Sequence, residues 1–133
     1  MSANGIVTTP HYLASQAALE ILQQGGNAVE AAITAASTLT VAYPHMNSVG
    51  GDNFWLIYNS KTKELKGLNA SGRAGEQATI DFYQQQGYNK IPPRGYLAAN
   101  TVPGVISGWE EAHKYAKATI GNHLTWHQLF DAA

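Results

Sequence analysis

Cysteine is absent from the 133 residues, which rules out disulfides and zinc–thiolate sites and leaves the redox compartment open. Arginine is scarce: Arg73 and Arg94 stand alone, and eight basic against nine acidic residues leave a net charge of −1. The lysines are scattered among acids, so a phosphate backbone finds no electrostatic footing and no nucleic-acid partner is expected. No apolar run approaches membrane-spanning length, and Met1-Ser2-Ala3-Asn4-Gly5 has neither the basic nor the apolar part of a signal peptide. The expectation is a cytoplasmic chain with no membrane partner, or a periplasmic or secreted one if a leader was removed. Internal repeats, low-complexity tracts and linkers are missing as well, and no Gly-x-Ser-x-Gly elbow supports a serine triad.

What is present is an ordinary globular composition, 44% hydrophobic and 13% charged, in a chain of one-domain length. The short β-branched run Gly5 to Thr9, ended by Pro10, predicts a strand. Leu13, Ala17, Ala18, Ile21 and Leu22 recur at helical spacing and predict a helix from Tyr12 to Gln24, with Gly25 or Gly26 as its left-handed stop. Asn27 with Glu30 three residues on has capping-box spacing, and opens a second helix through Ala42 that is apolar nearly all round and therefore buried. Phe54 to Tyr58 and Glu64 to Asn69 predict a hairpin across the turn Asn59-Ser60-Lys61-Thr62. Thr79 caps a short helix that Gly87 stops, Asn89 to Pro103 is irregular with its three prolines, and Val105 to Ala118 is helical again. Thr125 with Gln128 predicts one more helix from Trp126, barely two turns long, so that the chain reads as one incomplete piece of a larger domain.

Between the second helix and the hairpin lies Pro44-His45-Met46-Asn47-Ser48-Val49-Gly50-Gly51-Asp52-Asn53-Phe54-Trp55. This polar loop, together with Leu13 to Ala18, Gln24-Gly25-Gly26-Asn27-Ala28, Ala78 to Tyr83 and Asn100-Thr101-Val102-Pro103-Gly104-Val105, resembles the opening of the gamma-glutamyltransferase family of N-terminal-nucleophile hydrolases. The resemblance implies an α+β fold, part of an αββα sandwich of two sheets between helical layers, in a precursor that cleaves itself into a large and a small subunit. Residues 1–133 would then be the N-terminal part of the large subunit. The partners implied are the remainder of that subunit and the small subunit, whose N-terminal Thr is the nucleophile, together with a small amide substrate. That Thr has no counterpart here, so no catalytic residue is assigned within the chain, and no cofactor or metal is expected.

The resemblance implies one site residue: an Arg that grips the substrate carboxylate shortly after the second strand of the hairpin. Aligning Leu68-Asn69 with its setting puts Ser71 there and Arg73 two residues later, and a serine cannot replace a bidentate guanidinium fork. Either a shifted loop makes Arg73 the substrate-binding residue, or the substrate is not a γ-glutamyl amide. The wording Asn69-Ala70-Ser71-Gly72-Arg73 is closer to the cephalosporin-acylase and oxamate-amidohydrolase side of the family. A non-catalytic structural or interaction module is the alternative from a different class.

Each candidate has a plainer alternative. Arg73 could form only a surface ion pair worth at most about 1 kcal/mol, and Arg94 reads as a solvated loop charge. Asp52 is expected to tie its own turn together through backbone N–H groups, close to the site without touching substrate. Gly50-Gly51 is expected to need a backbone shape or close approach that a β-branched side chain forbids. His45 reads as structural, and His123 with His127 cannot share a helical face across the Thr125 cap, so a metal site is set aside.

Overall fold

A computed structural model describes residues 2–121 and 123–131. Its elements are helices α1 (Tyr12–Gln23) and α2 (Ala28–Ala42), strands β1 (Asn53–Asn59) and β2 (Glu64–Ala70), helix α3 (Ile80–Gln85), a 3-10 turn at Tyr96–Ala98, and helix α4 (Val105–Thr119). Helix α1 ends in a Schellman arrangement, with the Gly26 N–H donating to the Ile21 carbonyl and that of Gly25 to Leu22. Gly25 takes φ +88°, which only a residue without a Cβ adopts cheaply, and the chain reverses there into α2.

At the start of α2 the capping box forms as the spacing demands: Asn27 Oδ1 accepts from the N–H groups of Val29 and Glu30, while Glu30 Oε2 accepts from the Asn27 N–H at 2.7 Å. Glu30 has a second role. Its Oε1 accepts from the N–H groups of His123 (3.1 Å) and Leu124 (3.0 Å), and the side chain is fully buried. A carboxylate can occupy the interior here because three backbone donors and the positive end of α2 balance its charge. Lower on the same helix, the Thr34 hydroxyl donates to the Leu129 carbonyl at 2.8 Å. These bonds fasten the 123–129 stretch to α2.

Helices α1 and α2 pack through small residues, Ala14, Ala17 and Ala18 against the buried side of α2. Helix α4 lies between α2 and the hairpin and contacts both strands. Its Val105, Trp109, Ala112 and Ala116 join Ile33, Ile57 and Leu129 in the hydrophobic core. The strands pair antiparallel from Asn53↔Ala70 to Asn59↔Glu64. Alternation then sends Trp55 and Ile57 toward α4 and leaves Phe54, Leu56, Tyr58 and Leu65 59–81% exposed on the other side.

Two expected elements differ. Gly5 to Thr9 forms no strand, because the only described sheet is the β1–β2 pair and the segment bonds to neither strand. From Trp126 to Asp131 the chain makes consecutive turns instead of a helix, although Thr125 and Gln128 exchange the expected capping bonds. Ala132 and Ala133, the end of that expected helix, lie outside the described residues. The second helix is buried along most of its length, with Ala28, Ala32 and Val41 exposed.

The outer hairpin face is an open apolar area, and patches of this kind drive association. The 133-residue chain on its own should self-associate in a concentration-dependent way in sedimentation velocity. Replacing Leu56 and Leu65 by Thr should suppress that association. A monomer at every concentration in the unmodified chain would contradict this.

Candidate functional site

Because β1 and β2 are antiparallel, the start of one and the end of the other lie at the same end of the hairpin, where α4 also begins. Three loop segments converge there: Gly51 to Asn53, Ala70 to Arg73, and Thr101 to Val105. The Gly51 carbonyl accepts from the N–H groups of Gly104 (3.0 Å) and Val105 (3.1 Å) and so satisfies donors at the start of α4, where no side chain caps. The Asn53 side chain donates to the Val105 carbonyl at 3.0 Å and accepts from the Trp55 indole N–H at 3.2 Å. Asp52, between them, accepts from the Gly72 N–H through Oδ1 at 2.6 Å.

The turn-tying role expected of Asp52 is thus replaced by a tie of twenty residues' separation, to the loop that follows β2. The glycine constraint also sits elsewhere than expected. Gly50 and Gly51 have no positive φ, and a Cβ added at Gly51 would make only ordinary contact with Ser48, at 3.5 Å. A Cβ at Gly72 would overlap the Val102 carbonyl oxygen, and one at Gly104 the Ala70 carbonyl oxygen. Close backbone approach, the physical reason for a glycine, operates at these two positions.

Residues Arg73 to Gly75 run beside Asn100 to Val102. The Val102 N–H donates to the Arg73 carbonyl at 2.9 Å, Ala74 and Thr101 form an antiparallel bridge, and the Gly75 N–H donates to Asn100 at 2.9 Å. The backbone of Arg73 is fixed in this way while its side chain is exposed, and no acid lies within ion-pair distance of it among the described residues. Ser71 is also exposed, and its N–H donates to Asn69 Oδ1 at 2.9 Å. The convergence places an unpaired guanidinium and a serine hydroxyl on one short loop at the open end of the hairpin, a combination able to take a carboxylate.

The remaining candidates lie apart from this arrangement. His45 is exposed, with its ring against that of Tyr43 at 4.2 Å between centroids. Arg94 is exposed in the irregular segment. The His123 N–H is spent on Glu30, and the His127 ring is 3.6 Å from Asp131. Among the described residues no group of three or more His, Asp or Glu could hold a metal, and no helix is long and apolar enough to cross a membrane. On α4, Lys114 lies 2.8 Å from Glu110 and 3.0 Å from Glu111, whose hydrogen bonds push its pKa up. Sequence reasoning missed Asn53, Gly72 and Gly104. Each acts across a separation no local pattern records.

Comparison with known proteins finds one family model, described as gamma-glutamyltranspeptidase, matching residues 14–133. The oxamate amidohydrolase proenzyme of Klebsiella pneumoniae is 46% identical over 93% of this chain and 23% of its own length. A glutathione hydrolase-like proenzyme of Bacillus subtilis is 45% identical over 90% of the chain and 22% of its own length. The chain therefore spans less than a quarter of the length of these two curated relatives, both named as proenzymes. Among solved structures, the gamma-glutamyltranspeptidase of Helicobacter pylori superposes with a TM-score of 0.86 at 30% identity, covering 100% of this chain and 37% of that one. The cephalosporin acylase of Bacillus halodurans superposes with a TM-score of 0.79 at 38% identity, covering 90% and 21%.

Proposed function

Since this chain belongs to the gamma-glutamyltranspeptidase family, we propose that residues 1–133 form the N-terminal part of the large subunit of an amide-bond hydrolase or acyltransferase of the N-terminal-nucleophile class. Its partners are the rest of that subunit and a small subunit bearing the nucleophilic Thr. Acyl transfer from the amide to the Thr hydroxyl, with the Thr α-amine as base, gives an ester and releases the amine; water or a second amine then takes the acyl group. The substrate is a small amide carrying a carboxylate, which Arg73 holds. This chain provides recognition, and the chemistry lies outside it.

The observation that carries this reading is the exposed, unpaired Arg73 two residues past Ser71. Two residues of extended chain span only about 7 Å, a shift that the long arginine side chain can make up. The 46% identity to an oxamate amidohydrolase and the 45% identity to a glutathione hydrolase-like protein, with likeness to both a gamma-glutamyltranspeptidase and a cephalosporin acylase, support an amidohydrolase or acyltransferase and leave the choice of acyl group to experiment.

The test is kinetic, on the mature parent enzyme. Arg73→Lys keeps the charge and loses the fork, so KM for oxamate and for glutaryl p-nitroanilide should rise about tenfold while kcat stays nearly constant. Valeryl p-nitroanilide, with a methyl in place of the glutaryl carboxylate, should not respond. Unchanged KM on oxamate, the glutaryl compound and γ-glutamyl-p-nitroanilide would falsify Arg73 as a substrate residue. Efficient turnover of the γ-glutamyl compound alone would favour the transferase.

A further inference from the structure

The carboxylate of Asp52 does not pair with the one arginine near it in the fold; it is spent on a backbone N–H. We propose that Asp52 is a positioning residue for substrate recognition, which by holding the Gly72 N–H fixes the point from which the Arg73 side chain starts. This rests on Arg73 being the carboxylate anchor.

Three features support it. First, the other bonds that locate Arg73, those of Arg73, Ala74 and Gly75, all come from one side, the Asn100 to Val102 segment. The Asp52 bond comes from the β1 side and turns a one-sided attachment into a two-sided one. Second, Asp52 is itself held firmly, since Gly51 is bonded to the start of α4 and Asn53 to Val105 and Trp55. The position of Arg73 is thereby referred to the sheet and α4 together. Third, Gly72 sits against the Val102 carbonyl with no room for a Cβ, so the loop cannot slide past that carbonyl unhindered.

An exposed arginine that must order both backbone and side chain on binding loses affinity to conformational entropy, and a backbone fixed beforehand removes part of that cost. The required property is an acceptor oxygen at this position. The negative charge is incidental to it, and beside an anion site is mildly unfavourable. Asn supplies the oxygen without the charge; Ala supplies neither.

In the mature parent enzyme, Asp52→Ala should raise KM for glutaryl p-nitroanilide about tenfold at nearly constant kcat, with valeryl p-nitroanilide unaffected. Asp52→Asn should return KM to the wild-type value or below it. Adding Asp52→Ala to Arg73→Lys should raise KM little further, since both changes act through one guanidinium. The proposal is overturned if Asp52→Ala leaves KM unchanged, if it affects both anilides equally, or if the two penalties multiply. Should Asp52→Ala fail to mature, the Asn variant decides: KM at or below wild type supports the proposal and a tenfold rise refutes it. If Arg73→Lys raises KM and Asp52→Ala does not, positioning alone fails. If Arg73→Lys is silent, the anchor reading fails and takes this one with it.

Discussion

Glu30→Ala should destabilise the fold by about 3–5 kcal/mol, because it removes a fully buried carboxylate that accepts from three part-buried backbone N–H groups. Glu30→Gln separates the two halves of that effect. Its amide oxygen can still take the His123 and Leu124 N–H groups, whereas its NH2 would face the Asn27 N–H, donor against donor, so a loss of about 1–2 kcal/mol is expected. Denaturant titration followed by tryptophan fluorescence measures both. Losses below about 1 kcal/mol for Ala would mean that the 123–124 segment detaches and finds water without disturbing the core.

The second large effect concerns glycine. Gly104→Ala and Gly72→Ala each drive a methyl group into a backbone carbonyl, and neither Ala70 nor Val102 can withdraw without breaking the convergence of the three loops. A loss of about 3 kcal/mol or more, with failure of the parent precursor to mature, is expected for Gly104→Ala, where the glycine itself is buried. Gly51→Ala should stay within about 0.5 kcal/mol of wild type, because its Cβ meets only Ser48 at ordinary distance. Processing gels of the three precursors rank them. Gly51 behaving worst would restore the earlier expectation that the Gly50-Gly51 pair carries the constraint.

Local rules located the elements whose causes are local. The Asn27–Glu30 box, the Gly25 stop, the Thr79 cap and the Gly87 stop are events within six residues, and each appears where its spacing puts it. Gly5 to Thr9 has the composition of a strand, but a strand needs a partner, and the described residues offer none. Arg73 could be singled out by residue type and by the setting of a known family. What holds it could not, since Asp52 reaches Gly72 across twenty residues and the Gly72 constraint lies in Val102. Glu30 shows the same division: its capping role is legible three residues away, its second role ninety-three residues away is not.

That separation bears on synthesis. A ribosome adding about 5–20 residues per second delivers His123 and Leu124 only after about 5–20 seconds have elapsed since Glu30. Until then the carboxylate at the head of α2 has two of its three hydrogen-bond partners still untranslated, and Thr34 waits as long for Leu129. The α1–α2 pair must therefore spend its first seconds as a solvated, loosely closed hairpin of helices. Codon or temperature changes that slow translation across residues 31–124 should lengthen its exposure to proteases and holdase chaperones without altering the finished structure.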